Sequence, residues 1–392
     1  MLISADSHVV EPGELWTTRV PAAMRDDAPR AVQDPVNHHW YLEVPGSGRG
    51  VDLTLSRNAG MTVAEVDAIL QADPGADVGA HGGHDPAARL ADLQRDATVA
   101  DVLYPTGGLS VFQIDDVALQ EACCRAYNDW LAEFCSAAPE RLLGLALLAT
   151  FDMDRAVAEL RRARAAGLRG AIIWTAPPEG DTFFDPRYAP LWAAAEELSM
   201  PISLHILAGR RGSRQIAGFN KDVQGSFYFG FEARHELQRS VCELIAAGVF
   251  ERHPGLRVVA AEGGIDYAAT LEQRLDRSFT SFWGKLTELT MPPSAYFRRN
   301  VYLTYIDDDI GLNNLRFTGS EHFMWSSDYP HGAATWPRSV EHVAASAAGA
   351  GLDAQTVEDL TINNVMRLYG IDPAVLTTPL MPATSAAGGG AR

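Results

Sequence analysis

Short apolar runs rich in β-branched residues recur along this chain, and amphipathic helical stretches separate them. Apolar runs of this length, bounded by helices, are typical of parallel strands buried on both faces. The candidate strands are Leu2–Ala5, Val99–Tyr104, Leu143–Leu148, Gly170–Trp174, Ile202–Ile206, Leu256–Ala261, Val301–Tyr305 and His322–Trp325. The candidate helices are Leu119–Cys135, Met153–Ala166, Tyr188–Leu198 and Glu236–Phe250. This alternation predicts an α/β fold, either a closed parallel barrel or an open doubly wound sheet.

Two features favour the barrel. No G-x-G-x-x-G fingerprint follows the first strand, which weighs against a dinucleotide-binding open sheet. Polar residues also follow the first, fifth, sixth and eighth strands, and the carboxyl ends of barrel strands form one mouth where active sites lie. We therefore predict a (β/α)8 TIM barrel over residues 1–372.

Two long insertions interrupt the pattern, one at about residues 30–95 after the first strand and one at residues 207–234 after the fifth. Loops this long in a compact domain are usually lids or binding loops. The last segment, 373–392, is rich in Thr, Pro, Ala and Gly, and we expect it to be a flexible tail.

The chain carries a formal net charge of -18. An acidic surface disfavours nucleic acid and anionic membranes, because both bind through clustered Lys and Arg. The N-terminus has neither a basic region nor a long apolar region, so it indicates a first strand and not a signal peptide. The four cysteines show no C-x-x-C spacing and suit a reducing compartment. We expect a cytoplasmic protein that forms a homodimer and contacts neither membrane nor nucleic acid.

Asp6 and His8 lie two residues apart at the end of the first strand. In an extended strand they share a face, so both would point into the barrel mouth. A carboxylate and an imidazole side by side can hold a metal ion, although a capping Asp beside a hydrogen-bonded His would give the same pattern.

His205 closes the fifth strand, and Asp328 follows the eighth. Alone, His205 is equally well a core residue, and Asp328 a turn initiator before Tyr-Pro. A barrel brings these positions to the same rim as Asp6 and His8. Two imidazoles with two carboxylates suit Zn, Fe, Mn or Co better than Ca or Mg, so we predict a divalent transition metal.

Seven stretches of the chain resemble the amidohydrolase superfamily, in particular the branch that includes aminocarboxymuconate semialdehyde decarboxylase. They are ADSHVVEP at 5–12, GGHDPAARLADL at 82–93, LYPTGGL at 103–109, RAYNDWLAEFC at 125–135, LHI at 204–206, AAEGGIDY at 260–267 and WSSDYPH at 325–331. The resemblance implies metal ligands at Asp6, His8, His205 and Asp328. In that superfamily the Asp after the eighth strand often also takes a proton from metal-bound water.

The chain departs from the superfamily pattern in three ways. Many members have H-x-H where this chain has Asp6 and His8. The family usually has an acid/base His after the sixth strand, where Glu262 stands here as a candidate base, metal ligand or structural ion-pair partner. No lysine follows the fourth strand, so a lysine-bridged metal pair is not expected. The sequence allows one or two metal ions per chain. Glu262 and His205 would hold the second.

His331 lies three residues after Asp328 and is a candidate acid/base or ligand. Arg210, Arg211 and Arg214 lie in the second insertion beside several aromatic residues. Arginine binds carboxylates bidentately, so these three are candidate substrate-binding residues, or else part of a solvated loop.

From these residues we predict a metal-dependent hydrolase acting on an ester, thioester, lactone or amide. Metal-bound water would be the nucleophile, and Asp328 or Glu262 would accept its proton while His331 protonates the leaving group. One alternative is a non-oxidative decarboxylase of an aromatic or muconate-type acid at the same metal site, which Glu262 in place of His counts against. Another is a barrel that binds its ligand without turnover.

Overall fold

A computed structural model describes residues 1–45, 50–175, 177–178, 180–209 and 223–380, with no side-chain description for 223–230. Its strands are β1 (Leu2–Val9), β2 (Arg30–Gln33), β3 (Trp40–Glu43), β4 (Thr98–Pro105), β5 (Leu142–Leu147), β6 (Gly170–Ile173), β7 (Ile202–His205), β8 (Val258–Ala261), β9 (Val301–Tyr305) and β10 (Phe323–Trp325). All eight predicted strands are present, with ends that differ by a few residues. The largest difference is β1, which continues to Val9 and so contains both Asp6 and His8.

The eight main strands form one parallel sheet in the order β1-β4-β5-β6-β7-β8-β9-β10. Hydrogen bonds from the Asp328 N–H to the Asp6 carbonyl (3.1 Å) and from the His8 N–H to the Tyr329 carbonyl (2.6 Å) join the first strand to the segment after the last. Every residue of these eight strands is buried, because helices cover the outside and side chains fill the inside. The predicted (β/α)8 barrel is confirmed.

Helices connect the strands and cover the barrel. The α-helices are Leu15–Arg19, Val63–Ala72, Pro86–Arg95, Val117–Cys135, Met153–Ala165, Ala189–Leu198, Val223–Ala246, Val249–Arg252, Ala268–Thr280, Pro293–Asn300, Asp309–Asn313, Leu315–Thr318, Ser339–Ala350, Ala354–Glu358 and Asn364–Tyr369. The 3₁₀ helices are Ala22–Asp27, Leu55–Arg57, His81–Gly83, Gly107–Gln113, Pro186–Tyr188, Phe282–Leu286 and Pro373–Leu376, and Asp359–Asn363 is a π-helix. Within the described ranges, none of the helices combines the length and apolar character that a membrane span requires.

The first insertion is a folded unit beside the barrel mouth. Strands β2 and β3 pair as an antiparallel hairpin, and helix Val63–Ala72 begins with a capping box between Thr62 and Glu65. Val66, Leu70 and Val78 form a small apolar cluster of their own under this helix. The insertion is therefore held by its own core as well as by the barrel.

The second insertion contains less loop than the sequence suggests. We expected a helix over Glu236–Phe250, but the helix runs from Val223 to Ala246, and Gly248 (φ 68°) separates it from Val249–Arg252. Glycines at 225 and 230 lie within it, because an isolated glycine weakens a helix by about 1 kcal/mol without ending it. Residues 210–222 lie outside the described ranges.

The segment predicted to be a C-terminal tail, 373–392, begins with a short helix. The 3₁₀ helix Pro373–Leu376 buries Val375, whose carbonyl accepts a hydrogen bond from Arg141. Residues 381–392 lie outside the described ranges.

Candidate metal centre

Asp6 and His8 project from β1 into the barrel mouth, and both are buried. The register between β1 and β4 shifts between Ser4 and Ser7, so β1 has an irregularity that contains Asp6 and ends just before His8. Bulges of this kind re-aim side chains and are common beside functional sites.

His8 and His205 are each oriented for ligation through Nε2. The His8 Nδ1 lies 2.9 Å from the Pro105 carbonyl, and the His205 Nδ1 lies 2.6 Å from the Ile206 carbonyl. A carbonyl can only accept, so each Nδ1 carries a proton, and Nε2 is the nitrogen of each ring that can bind a metal. Metal-binding histidines are commonly held in this way.

The three donor atoms Asp6 Oδ1, His8 Nε2 and His205 Nε2 converge on one point. The Asp6 oxygen lies 3.5 Å from the His8 nitrogen and 3.8 Å from the His205 nitrogen. All three atoms are buried and find no hydrogen-bond partner among the residues that the structure describes. Donors bound at about 2.1 Å around a tetrahedral cation are about 3.4 Å apart. Buried polar atoms need partners, so these residues fit a divalent transition metal.

Asp328 and His331 lie beside this group. The Asp328 Oδ1 is 3.5 Å from the His8 Nε2, which makes Asp328 a further candidate ligand. His331 has partners at both nitrogens: its Nδ1 lies 2.9 Å from the Asp328 Oδ1, and its Nε2 lies 3.0 Å from the Thr106 Oγ1. The imidazole of His331 is thus fixed against Asp328 at the edge of the site.

Glu262 lies on the other side, directly after β8. Its Oε2 is 3.2 Å from the His205 Nε2, a contact at ion-pair distance whose geometry does not make it a hydrogen bond. Thr304 joins Glu262 to the centre, since its hydroxyl accepts from the Glu262 N–H (2.7 Å) and donates to the Asp6 Oδ2 (3.0 Å). Glu262 can therefore be a ligand or an ion-pair partner of His205, and the alternatives we considered remain predictions.

Burial is the largest single influence on the pKa values of Asp6, His8 and His205. It raises the pKa of Asp6 to about 7, although the charge of His205 opposes this. Burial, together with the charges of His331 and His205, lowers the pKa of His8 well below its usual range. Burial also acts to lower the pKa of His205, but the contact with Glu262 and the charge of Asp6 outweigh it and raise that pKa to about 9. A bound cation would replace the His205 proton, because a ligating imidazole is neutral.

A cavity of about 310 Å³ opens onto these residues. His8, His205, Glu262 and His331 form the part of its lining that faces the candidate metal site. The rest of its lining consists of Val51, Asp52, Leu55, Ser56, Thr106, Leu109, Ser110, Gln113 and Leu207. The first insertion thus supplies one wall, while Arg210, Arg211 and Arg214 lie outside the described residues.

Sequence reasoning missed a buried arginine behind β1. The Arg89 Nη1 donates to the His8 carbonyl (2.8 Å), and its Nε donates to the Asp101 Oδ2 (2.8 Å). Arg89 is fully buried. Its position within the matched stretch at 82–93 was visible in the sequence, but nothing in the residue type indicated that it reaches β1.

The family model for amidohydrolases matches residues 36–371, which is most of the chain. The chain belongs to the amidohydrolase family. The match begins after β1, so Asp6 and His8 lie before it.

The chain is similar to several decarboxylases. Gamma-resorcylate decarboxylase of Rhodococcus jostii is 32% identical over 228 residues, a match that covers 53% of this chain and 65% of the relative. The matched part thus spans just under two thirds of that relative's length. The 2-amino-3-carboxymuconate-6-semialdehyde decarboxylase of Dictyostelium discoideum is 25% identical and is covered to 77%, with 74% of this chain matched.

Solved structures confirm the fold of the chain. An amidohydrolase from Mycobacterium avium subsp. paratuberculosis superposes with a TM-score of 0.73 at 20% identity, covering 95% of this chain and 98% of the other. The 5-carboxyvanillate decarboxylase of Novosphingobium aromaticivorans, solved with manganese and a nitrobenzoic acid, gives 0.61 at 18% identity and covers 94% and 97% of the two chains.

The predicted hydrolase activity is wrong on this comparison, because the similar proteins of known activity are decarboxylases. Glu262 counts against decarboxylation because it stands where the family usually has an acid/base histidine. His331, however, brings an imidazole to the same cavity from a different position in the sequence. The predicted divalent metal agrees with the donors that the fold brings together. The cytoplasmic location and the homodimer stay predictions.

Proposed function

We propose that this protein is a metal-dependent, non-oxidative decarboxylase of a small hydroxylated aromatic acid. The observation that carries the proposal is the convergence of three unpartnered donor atoms of Asp6, His8 and His205 in a barrel whose curated relatives are decarboxylases. The reaction exchanges the carboxylate of the substrate for a proton and releases carbon dioxide.

The metal, when bound, would act as a Lewis acid toward oxygen atoms of the substrate. We propose that Asp6, His8, His205 and Asp328 hold it. The cavity of about 310 Å³ is at the small end of the range for ligand pockets and has room for a substituted aromatic ring. Leu55 and Leu109 offer apolar contacts to the ring, and Ser110 and Gln113 offer hydrogen bonds to ring hydroxyls.

Decarboxylation needs a proton at the ring carbon that loses its carboxylate. We assign this proton to the pair formed by Asp328 and His331. Burial raises the pKa of Asp328, although the charge of His331 opposes it, and the contact with His331 fixes the carboxyl in place. Once the carbon is protonated, the C–C bond breaks, carbon dioxide leaves, and the ring regains its aromaticity.

The test is carbon dioxide release by protein reconstituted with Mn²⁺ or Zn²⁺. The substrates are 2,6-dihydroxybenzoate, 5-carboxyvanillate and benzoate, with an ester and a lactone as hydrolysis controls. We expect wild type to turn over a hydroxylated acid and His205→Ala to lose most of that activity. Benzoate should react little, because it has no hydroxyl to pair with Ser110 and Gln113. Turnover of the ester or lactone without any carbon dioxide release would overturn the proposal.

A further inference from the structure

The candidate ligand Asp6 lies in the irregular part of β1, and the candidate ligand His8 follows just after the regular register resumes at Ser7. Opposite β4, Ser4 aligns with Asp101 and Ser7 aligns with Leu103, so three steps along β1 match two along β4. An extra residue leaves part of the ladder unpaired and bends the strand. Contacts other than the regular ladder therefore help to fix the path of β1 as it reaches His8.

Arg89 supplies those contacts from helix Pro86–Arg95. Its Nη1 donates to the His8 carbonyl at 2.8 Å, its Nη2 contacts the Ser7 hydroxyl, and its Nε donates to the Asp101 Oδ2 at 2.8 Å. One guanidinium thus bridges β1 and β4 at the irregularity. Lysine could not do this, because an ammonium is a single point of charge without the planar fork of donors.

The same guanidinium supports the segment that carries Asp328. Its central carbon lies 4.6 Å from the centre of the Tyr329 ring. The Tyr329 carbonyl in turn accepts from the His8 N–H (2.6 Å) and from the Ser7 hydroxyl (3.0 Å). Arg89 therefore touches the neighbours of His8 and Asp328 from the side facing away from the cavity.

We propose that Arg89 is a positioning residue that holds His8 and Asp328 in the geometry that binds the metal. This inference rests on the metal site of the proposed function. Arg89 does not line the cavity, so it acts through the ligands and not on the substrate. Its loss should then alter metal binding before it alters anything else at the site.

The chain offers a matched control in Arg141. This arginine is also buried, and its Nη1 donates to the carbonyls of Val99 (2.9 Å) and Val375 (3.1 Å). Val99 lies near the start of β4, at the end of the barrel opposite the mouth. Arg89→Lys and Arg141→Lys thus make the same chemical change beside β4. The first change lies next to the candidate ligands, and the second lies at the opposite end of the barrel.

The experiment measures the Kd for Zn²⁺ by chelator competition and the visible spectrum of the Co²⁺-loaded full chain. Thermal unfolding of the metal-free proteins establishes that each is folded. Changing a group that orients a metal ligand typically weakens metal binding about 10–100-fold. We expect a loss of that size and an altered Co²⁺ spectrum in Arg89→Lys, with a Kd within about twofold of wild type in Arg141→Lys.

An unchanged Kd and spectrum in a folded Arg89→Lys protein would overturn the proposal. If that variant does not fold, Ser7→Ala replaces it. This change removes the contact of the Ser7 hydroxyl with the guanidinium and its hydrogen bond to the Tyr329 carbonyl, and it should weaken metal binding several-fold. Unchanged binding in Ser7→Ala would then overturn the proposal. Failure of the proposed function looks different, because it would appear in wild type itself, as an absence of metal binding or of carbon dioxide release from the acids.

Discussion

Glu262 and Asp328 both adopt left-handed backbone conformations, with φ angles of 58° and 56°. Such conformations cost of order 1–3 kcal/mol in residues other than glycine and tend to cluster at functional sites. Glu262 directly follows β8, and Asp328 lies three residues after the end of β10. In both residues the conformation turns the carboxylate toward the barrel mouth. Asp328 is additionally held by its N–H bond to Asp6.

Asp328→Asn should preserve the fold and lower kcat by about 10²–10⁴-fold, because an amide cannot hold the proton for the ring carbon. The measurement is kcat for carbon dioxide release, with circular dichroism and metal content of the same preparation. Asp154→Asn, which changes an exposed Asp on helix Met153–Ala165, should leave kcat unchanged. A kcat near wild type in Asp328→Asn would remove Asp328 from the mechanism.

The sequence indicated the candidate site residues better than the residues that hydrogen-bond to them. Asp6, His205 and Asp328 follow from chemistry at strand ends, because a barrel always gathers those ends at one rim. Thr304 and Arg89 could not be predicted, since each acts across a large sequence separation through a hydrogen bond that only the packed barrel defines.

The β2–β3 hairpin is anchored to the rest of the first insertion by a buried histidine. The His39 Nδ1 lies 2.7 Å from the Asp52 Oδ2, and its Nε2 lies 2.9 Å from the Asp67 Oδ1. Asp52 lines the cavity, and Asp67 belongs to helix Val63–Ala72. Burial lowers the pKa of His39, but the hydrogen bonds and charges of the two aspartates outweigh it and raise that pKa above its usual value.

A raised folded-state pKa makes the contribution of His39 to stability depend on pH. The contribution is complete below the unfolded pKa of about 6.5 and is lost as pH rises through the higher folded value. His39→Gln should lower the free energy of unfolding by about 1–3 kcal/mol at pH 5.5, with a smaller loss at high pH. Thermal unfolding of wild type and variant from pH 5.5 to 9 measures this.

The exposed His81 lies in the same insertion, so His81→Gln is the matched control and should change the unfolding midpoint little at any pH. A gap between wild type and His39→Gln that grows with rising pH would contradict the assigned charge state.

Element prediction succeeded where periodicity is strong and failed where tertiary contacts decide. Burial on both faces gives barrel strands continuous apolar runs, so all eight were found. Most residues of the hairpin strands β2 and β3 are exposed or half-buried, so these strands lack the continuous apolar run that marks a barrel strand.

For the whole molecule, the donor geometry favours one metal ion per chain. The two donor groups of the site, Asp6 with His8 and His205, and His8 with Asp328 and His331, share His8. Its Nδ1 is committed to the Pro105 carbonyl, so only Nε2 can bind a metal. One nitrogen of His8 cannot bind two separate metal ions, so only one of the two donor groups can be occupied at a time.

Elemental analysis of the purified chain should therefore find about one divalent metal per chain, and none in His205→Ala. Added metal should raise the unfolding midpoint of the metal-free wild type, since a ligand at 100 times its Kd stabilises the folded state by about 2.7 kcal/mol. The midpoint of His205→Ala should not respond. Two ions per chain would show that Glu262 builds a second site.

The hydrogen bond between Asp328 and Asp6 has a consequence for the order of assembly. It lies at the seam where the first and last strands of the barrel meet, and the candidate ligands come from both sides of that seam. During synthesis, Asp6 and His8 leave the ribosome early, whereas Asp328 follows more than three hundred residues later. The full set of candidate ligands therefore comes together only once the barrel has closed, so we expect metal uptake to be a late event in folding.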